Sequence, residues 1–479
     1  MRQQDPEAAA VHVRSLVLRG SQFVIVGQVV SHGLRLLSNV VLARLLFPEA
    51  FGLMALVAVF MQGLQMFSDV GIQSSIVQSP RGEDPAFLDT AWTIQILRGL
   101  LLWACACALA WPFATAYREP QLLLLIPVAA MSAVMSGFEA TALHTASRNL
   151  KVGTLTLLDL ITQTTSIVVT VAIAAQASSV WALVIGGLAS NSLRVVLSHT
   201  WIAERRNRFR LERDACASLL SFGKWIFVST ALTFLVGQGD KLVLARLIPL
   251  DVLGVYAIAS TLATLPAEVM SRFVGTVVFP AYCRSLEPRD KFAERFASMR
   301  TPLVSLGLLG ISVICIVAPV LVEVLYDSRY REAKWMIQAL LIGITFRILE
   351  NINGAALLAM GNSRLVAVGS AAKLGGMLSL MLLGYWLNGY VGAIVGYSLS
   401  EVARYCVSVI ALRRYHLNVL RQDSLLIGTA ALSTLAGLGI SSSLSEHAYS
   451  VLTVAVAALL LSTVMWWQHL RDALRAWRS

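Results

Sequence analysis

Long apolar stretches follow one another along this chain with only short polar connections, and inside many of them the few polar residues return every three or four positions. That period belongs to the faces of an α-helix, whereas a strand would alternate. The stretches predict helices at about 20–44, 51–78, 86–112, 121–145, 152–175 and 179–203, then at 218–246, 252–280, 301–326, 333–359, 364–387 and 390–412, and last at 424–443 and 449–467. Such lengths suit a hydrocarbon layer of roughly 30 Å, and the longer helices must tilt or extend beyond it. The expected fold is an all-α polytopic membrane protein with about 14 transmembrane helices.

One short motif occurs twice. Leu42 to Leu53 reads LARLLFPEAFGL and Leu244 to Val255 reads LARLIPLDVLGV, so Arg44 matches Arg246, Glu49 matches Asp251 and Gly52 matches Gly254, each pair 202 residues apart. An apolar run precedes and follows each copy, which marks a tight Pro-containing turn between two helices. A second echo sets WALVIGGLASNSLR (Trp181 to Arg194) against VGAIVGYSLSEVAR (Val391 to Arg404), pairing Gly186 with Gly396 and Arg194 with Arg404 at a spacing of 210. Two six-helix lobes of one topology are expected, related by a pseudo-two-fold axis along the membrane normal, with a substrate site between them. The expected division is a cytoplasmic N-terminal segment (1–19), a first lobe (20–203), a basic cytoplasmic linker (204–217), a second lobe (218–412), a short cytoplasmic linker (413–423), an extra helix pair (424–467) and a basic cytoplasmic tail (468–479). The extra pair has no charge inside its spans and reads as a lipid-facing appendage.

Composition agrees, and charge adds orientation. Hydrophobic residues make up 57% and charged residues 14%, against roughly 45–50% and about 25% in soluble domains. A soluble enzyme is thereby excluded. The net charge of +11 invites a nucleic-acid reading, but 23 Lys and Arg lie in the N-terminal stub and alternate connections and six in the intervening ones. This is the positive-inside pattern with both termini cytoplasmic, so no nucleic-acid partner is expected. The first apolar run is long and carries Arg35, which reads as a spanning helix and not as a cleavable signal. Cys105, Cys107, Cys216, Cys283, Cys315 and Cys406 show no CxxC spacing, so neither a disulfide framework nor a metal site is indicated. The predicted outer connections are short and HExxH, GxSxG and Walker patterns are absent, so no catalytic site is expected.

Function then has to be sought in polar residues that the bilayer penalises, since a Lys, Arg or Asp at mid-helix costs about 2.5–3.5 kcal/mol on insertion scales. In the first helix Gln28, Ser31, His32, Arg35, Ser38 and Asn39 form one stripe; in the second, Gln62, Gln65, Asp69 and Gln73 do so. The seventh carries Thr230, Thr233, Gly237, Asp240 and Lys241, and the eighth Thr261, Thr264, Glu268, Ser271 and Arg272. These four faces are expected to line a hydrated central cavity. Glu268 with Arg272, Arg347 with Glu350 and Glu401 with Arg404 are spaced to neutralise one another along their own helices. Arg194 and Arg404 repeat at one point of both lobes and read as structural. Asp159, with Thr162, Gln163 and Ser166 on its face, suits a cation site or a helix–helix contact, of which the contact is the plainer reading. Arg35 and Arg98 have no carboxylate within a turn and are the better ligand candidates. Fixed cations in a wet cavity suit an anionic cargo, Arg suits phosphate, and the surrounding Gln, Ser, Thr and Asn suit hydroxyls.

The run LARLLFPEAFGLMALVAVFMQGLQMFSDVGIQSSIVQ (Leu42 to Gln78), with GDKLVLARLIPLDVLGVYAIA and VVFPAYCR further on, resembles the polysaccharide-transport branch of the multidrug/oligosaccharidyl-lipid/polysaccharide flippase superfamily, and most of all its bacterial Wzx-type flippases. The likeness extends from about residue 15 to 420. It implies two bundles that alternate between inward and outward openings in the bacterial inner membrane. The implied cargo is an oligosaccharide repeat unit on undecaprenyl pyrophosphate, moved from the cytoplasmic to the periplasmic leaflet for exopolysaccharide or lipopolysaccharide synthesis. A pyrophosphate-binding role carries over as a hypothesis onto Arg35, Lys241 and Arg272, with Arg98, Gln28, Asn39 and Gln65 as further lining. Proton or sodium coupling in relatives directs attention to Asp69, Asp240 and Glu268; no other cofactor is implied. A polysaccharide polymerase and glycosyltransferases are the implied protein partners, beside membrane lipids. Rival readings are a cation-coupled multidrug exporter of the same superfamily, a lipid II flippase, and a non-transporting scaffold, which the intramembrane charges disfavour.

Overall fold

The two copies of the repeated turn each end one long helix and begin another, and the ends are built alike. In the computed structural model, which describes residues 6–68, 71–203, 205–216, 226–286 and 292–443, α1 (Pro6–Leu45) closes on a Leu46 N–H to Leu42 carbonyl bond of 2.8 Å. The helix that matches it, Ile226–Leu247, closes on an Ile248 N–H to Leu244 bond of 2.9 Å. In α2 (Pro48–Phe67) Pro48 opens the first turn and Glu49 follows it. Leu250–Phe273 starts after Pro249 in an extended conformation, with Asp251 in its first turn. Proline loses no helical hydrogen bond there, and the acid faces the positive end of the helix dipole.

By their internal contacts Met1–Phe234 form one compact unit and Leu235–Ser479 another. The first continues with α3 (Ile72–Gln78), α4 (Pro85–Tyr117), α5 (Leu122–Gly137), α6 (Ala142–Arg148), α7 (Val152–Gln176) and α8 (Trp181–Leu197). In it α1 packs on α7, α7 on α8, α8 on α5, and α5 on α4 and α2. The chain continues through α9 (Ile226–Leu247), α10 (Leu250–Phe273), α11 (Phe279–Ser285), α12 (Phe292–Leu325), α13 (Ala333–Ala359), α14 (Ser363–Arg413) and α15 (Leu420–Ser443). Within the second unit α13 packs against α10, α12 and α14, and α15 against α12. Among the described residues eight helices are long and apolar enough to cross a membrane, or nine with the bent pair α5 and α6 counted as one span. Their apolar surface stays outward, as Leu100, Leu101, Leu109 and Trp111 do on α4, which suits lipid as solvent and would be a liability in water.

The expected helices are helical over most of the residues described; 69–70, 218–225 and 449–467 lie outside them. Two expected spans are broken. The one at 51–78 stops at Phe67 and resumes at Ile72 after Gly71, whose φ of 69° is the left-handed conformation that glycine adopts without strain. The one at 121–145 bends by 63° between α5 and α6. The gap expected after 387 is a kink inside α14, at Asn388 and Gly389.

The matched glycines mark equivalent crossings. A Cβ on Gly186 would lie 1.8 Å from Thr170 Oγ1 of α7, and one on Gly396 would lie 2.2 Å from the Leu380 carbonyl, across the kink of α14. Small residues let these backbones approach as helices do in membranes. The region read as a lipid-facing appendage begins with a buried anchor. Arg300, fully buried in α12, pairs with Asp423 in the first turn of α15 at 2.7 Å, and Tyr405 donates to the same carboxylate at 2.6 Å. Arg300, counted above among the cations of its connection, is therefore a core residue.

Candidate functional site

Two polar cavities of the first unit hold residues singled out in the sequence. One, of about 380 Å³, is lined by Arg35 and Ser38 of α1, Asp159, Thr162, Gln163 and Ser166 of α7, and Ser190 and Arg194 of α8. Helical phase explains the set, because these positions recur at three- and four-residue steps on each helix. Ser31 Oγ donates to Gln163 Oε1 at 2.6 Å and Gln163 Nε2 returns a bond to the Ser31 carbonyl at 2.9 Å, which fixes α1 on α7. Arg194 reaches Asp159 at 2.5 Å and Glu139 at 3.3 Å. Arg35 is exposed and, among the described residues, forms no ion pair. Asp159 is thus tied to the neighbouring helix, in keeping with the contact reading.

The other cavity, of about 460 Å³, lies beside both helix breaks and is lined by Gln65, Gln73, Gln95, Arg98, Glu139 and His144 among others. Here α4 supports the two broken ends. Arg98 donates from Nε to Ser68 Oγ and from its guanidinium to the Gln65 carbonyl, both at 3.0 Å, while Gln95 Nε2 donates to the Ser136 carbonyl at 2.7 Å. Each supplies a donor to carbonyls that a helix C-terminus leaves unsatisfied. Arg98 is therefore engaged in holding the break, whereas Arg35 is open. Gln28 and Asn39 are half-buried on α1, and the Gln65 side chain is exposed on α2. Asp69 lies outside the described residues.

The remaining candidates belong to the second unit. Arg272, near the end of α10, is exposed and does not pair with Glu268, itself exposed and accepting from Thr264 at 3.4 Å. Lys241 donates to Gln238 at 3.0 Å, one turn back on α9. Asp240 is buried and accepts the Tyr256 hydroxyl at 2.6 Å on Oδ2, leaving Oδ1 without a hydrogen bond.

The expected pairs along single helices are not formed at Glu268 and Arg272, at Arg347 and Glu350, or at Glu401 and Arg404. Glu350 takes Arg404 at 3.1 Å from α13 to α14, and Glu401 takes Lys373 at 2.5 Å across the kink of α14. Lys373 also stands 5.7 Å from the centre of the Tyr397 ring. Sequence reasoning missed Glu139, Lys373 and Asp423 because their partners lie tens of residues away, and same-helix spacing carries no signal for such contacts.

These features define a multi-pass, all-helical membrane protein built from two units with matched turns, crossings and ion pairs. Residues 41–335 match the family described as Polysaccharide biosynthesis protein, and the chain belongs to that family, in the polysaccharide-transport branch of the multidrug/oligosaccharidyl-lipid/polysaccharide superfamily. Among its relatives is the lipopolysaccharide biosynthesis protein WzxC of Escherichia coli (strain K12), 20% identical over 399 residues, covering 81% of this chain and 79% of the relative. The succinoglycan biosynthesis transport protein ExoT of Rhizobium meliloti (strain 1021) is 23% identical over 329 residues, covering 68% of this chain and 65% of its own. The fold is shared with the lipid II flippase MurJ in an inward closed conformation, at a TM-score of 0.72 and 14% identity over 93% of this chain and 99% of that one. An inward-facing multidrug resistance MATE family transporter is similar at a TM-score of 0.61 and 12% identity, over 82% of this chain and 95% of that one.

Proposed function

We propose that this protein is a flippase that moves undecaprenyl-pyrophosphate-linked oligosaccharide repeat units from the cytoplasmic to the periplasmic leaflet by alternating access. The observation that carries the reading is Arg35, an exposed guanidinium that forms no ion pair among the described residues and lines a cavity with hydroxyls, an amide, Ile167 and one ion pair. Diphosphate is matched by the guanidinium fork, and sugar hydroxyls by the Ser, Thr and Gln around it. Arg272 offers a second open cation on the other repeat. Asp240, a buried carboxylate with one oxygen unsatisfied, is the residue best suited to take a coupling proton or sodium ion, ahead of the exposed Glu268. Membership of a polysaccharide biosynthesis family, with relatives named for lipopolysaccharide and succinoglycan, supports glycan cargo over a drug cation. The lobes are those of residues 20–203 and 218–412, both termini face the cytoplasm of the bacterial inner membrane, and a polymerase and glycosyltransferases act beside the protein.

The test is transport of a fluorescent lipid-pyrophosphate oligosaccharide in proteoliposomes. Wild type is expected to translocate it, and Arg35→Ala and Arg272→Ala to lose most of the rate at unchanged thermal stability. Wild-type transport with both variants unimpaired removes the two arginines from the reading. Exchange of a small organic cation for protons or sodium, with the lipid ignored, replaces the reading by that of a drug exporter.

A further inference from the structure

After the π-helical turn Ser198–Ile202 the chain passes over the start of α4 as an irregular strap that reaches residue 212. Its fastenings alternate along the sequence. Arg205 pairs with Asp89 and donates to the Pro85 carbonyl at 3.4 Å, Asn207 Nδ2 donates to Thr141 Oγ1 at 2.7 Å, and the Phe209 ring lies 5.0 Å from that of Trp92. The backbone N–H groups of Arg208, Arg210 and Glu212 donate to Asp89 Oδ1 at 3.1 Å, Thr93 Oγ1 at 3.0 Å and Thr90 Oγ1 at 3.2 Å. Just beyond the strap, Ala215 is buried in a cluster with Ile72, Ile76, Phe87 and Ala91. An extended backbone sends alternate side chains to opposite sides. With residues 205, 207 and 209 turned onto the unit, Arg206, Arg208 and Arg210 share the other side. All three are exposed, and among the described residues none forms an ion pair. The neighbouring Arg81, by contrast, is held by Asp84 at 2.5 Å and Glu212 at 2.9 Å.

We propose that Arg206, Arg208 and Arg210 form a binding row for the phosphate headgroups of anionic phospholipid at the end of the α4 span. Three observations converge on this ligand. The strap is fastened to the first turns of α4, from Pro85 to Thr93, so it sits where an apolar span meets water. Phe209, on the side that meets Trp92, and Leu211 nevertheless keep 69% and 60% of their surface exposed; apolar tips in the same short strap as cations suit the boundary between acyl chains and headgroups. Alternate Cα atoms of an extended chain stand about 6.6 Å apart, so the three guanidiniums are spread over roughly 13 Å. That spread fits a row of separate headgroups better than a single diphosphate. A membrane-orientation signal needs only positive charge in the connection. It does not need that charge fixed on one side of a strap pinned by side chains and backbone alike. The pinning matters for binding, because ordering that is already complete in the free protein is not lost again when lipid arrives.

The experiment is native mass spectrometry of the purified full-length protein titrated with short-chain phosphatidylglycerol or phosphatidylcholine, with inorganic pyrophosphate as competitor. Wild type should retain phosphatidylglycerol in preference to phosphatidylcholine, and less of it as salt rises. The triple variant R206Q/R208Q/R210Q should lose about 100-fold in phosphatidylglycerol affinity, since each basic side chain near an anionic surface contributes about fivefold. A control of equal charge loss, R364Q/R413Q/R414Q, should retain lipid like wild type. Equal retention of the two lipids by wild type, a triple variant that matches wild type, or a control that loses as much as the triple variant each overturns the proposal. Displacement of the lipid by equimolar pyrophosphate also overturns it, in favour of a free-phosphate site. The salt and lipid comparisons on wild type stand whether or not the triple variant folds.

Discussion

In the first unit Arg194 reaches from α8 to Glu139, and in the second Arg404 reaches from α14 to Glu350, at sequence positions that match between the two halves. Around this shared pair the two units treat charge differently. Asp159, the second partner of Arg194, keeps 61% of its side chain exposed and borders the cavity of Arg35. In the second unit the neighbouring pair is Lys373 with Glu401, exposed to only 4% and 3%. A wet ion pair can exchange a partner for ligand at little cost, whereas a sealed one cannot. The duplicated frame thus carries a partly exposed ion pair in one half and a buried one in the other.

The strongest test of that contrast removes one partner from each pair. Glu401→Ala leaves the Lys373 ammonium buried and uncompensated, which typically costs about 3–5 kcal/mol. Asp159→Ala should cost less than about 1 kcal/mol, because water and Glu139 remain for Arg194. Thermal unfolding in detergent reads both, and equal shifts of the midpoint would end the distinction between wet and locked. A double replacement of Lys373 and Glu401 by Met and Leu should recover most of the loss, since the costly state is the lone charge.

A smaller difference is expected at the matched glycines. Gly396→Ala would drive a methyl into the Leu380 carbonyl, and backbone there cannot turn aside. Gly186→Ala meets first the Thr170 hydroxyl, which can rotate, and then the Ser166 carbonyl at 2.9 Å. Overpacking costs about 1–3 kcal/mol, so Gly396→Ala should fall toward the upper end and Gly186→Ala toward the lower. The same unfolding assay decides it, and the reverse order would show that the first unit is the tighter.

The helices, the duplicated turn and the matched glycines were legible in the sequence because hydropathy, Pro and Gly act locally. Arg35 stood out as a cation with no carboxylate within a turn, whereas the spacing of Arg272 from Glu268 suggested a pair that the structure does not form. What escaped was every interaction that joins distant helices. Glu139 has no Lys or Arg within a turn because its partner Arg194 lies across the bundle, and Arg300, at the edge of a basic connection, pairs with Asp423 more than a hundred residues on. The breaks at Gly71 and between α5 and α6 escaped because the polar residues beside them, such as Gln73 and Glu139, are equally compatible with a polar face on one continuous helix. Arg98 was read as free in consequence, since its acceptors are a broken end of α2 and Ser68.

The smallest effect is expected where charge is wettest, in the connection between α3 and α4. Asp84 caps α4 by accepting the Ala86 N–H at 3.0 Å and pairs with Arg81 at 2.5 Å. The Arg81 hydrogen bond first, and the Ala86 N–H second, hold its carboxyl below the ordinary carboxylate range. A depressed acid adds stability above its unfolded value and loses it as pH falls through the folded one. Wild type should therefore lose a small increment on acidification below the ordinary value of ~4. Asp84→Asn keeps a side chain that caps a helix nearly as well but cannot pair with Arg81. Its unfolding midpoint should lie slightly below wild type at neutral pH, and the two should converge in acid. Because both partners are solvated, the gap should be smaller than any of those above and should shrink as salt is added. A gap that persists in acid and high salt would mean that this pair is locked like Lys373 and Glu401, and the contrast between the units would not extend to their connections.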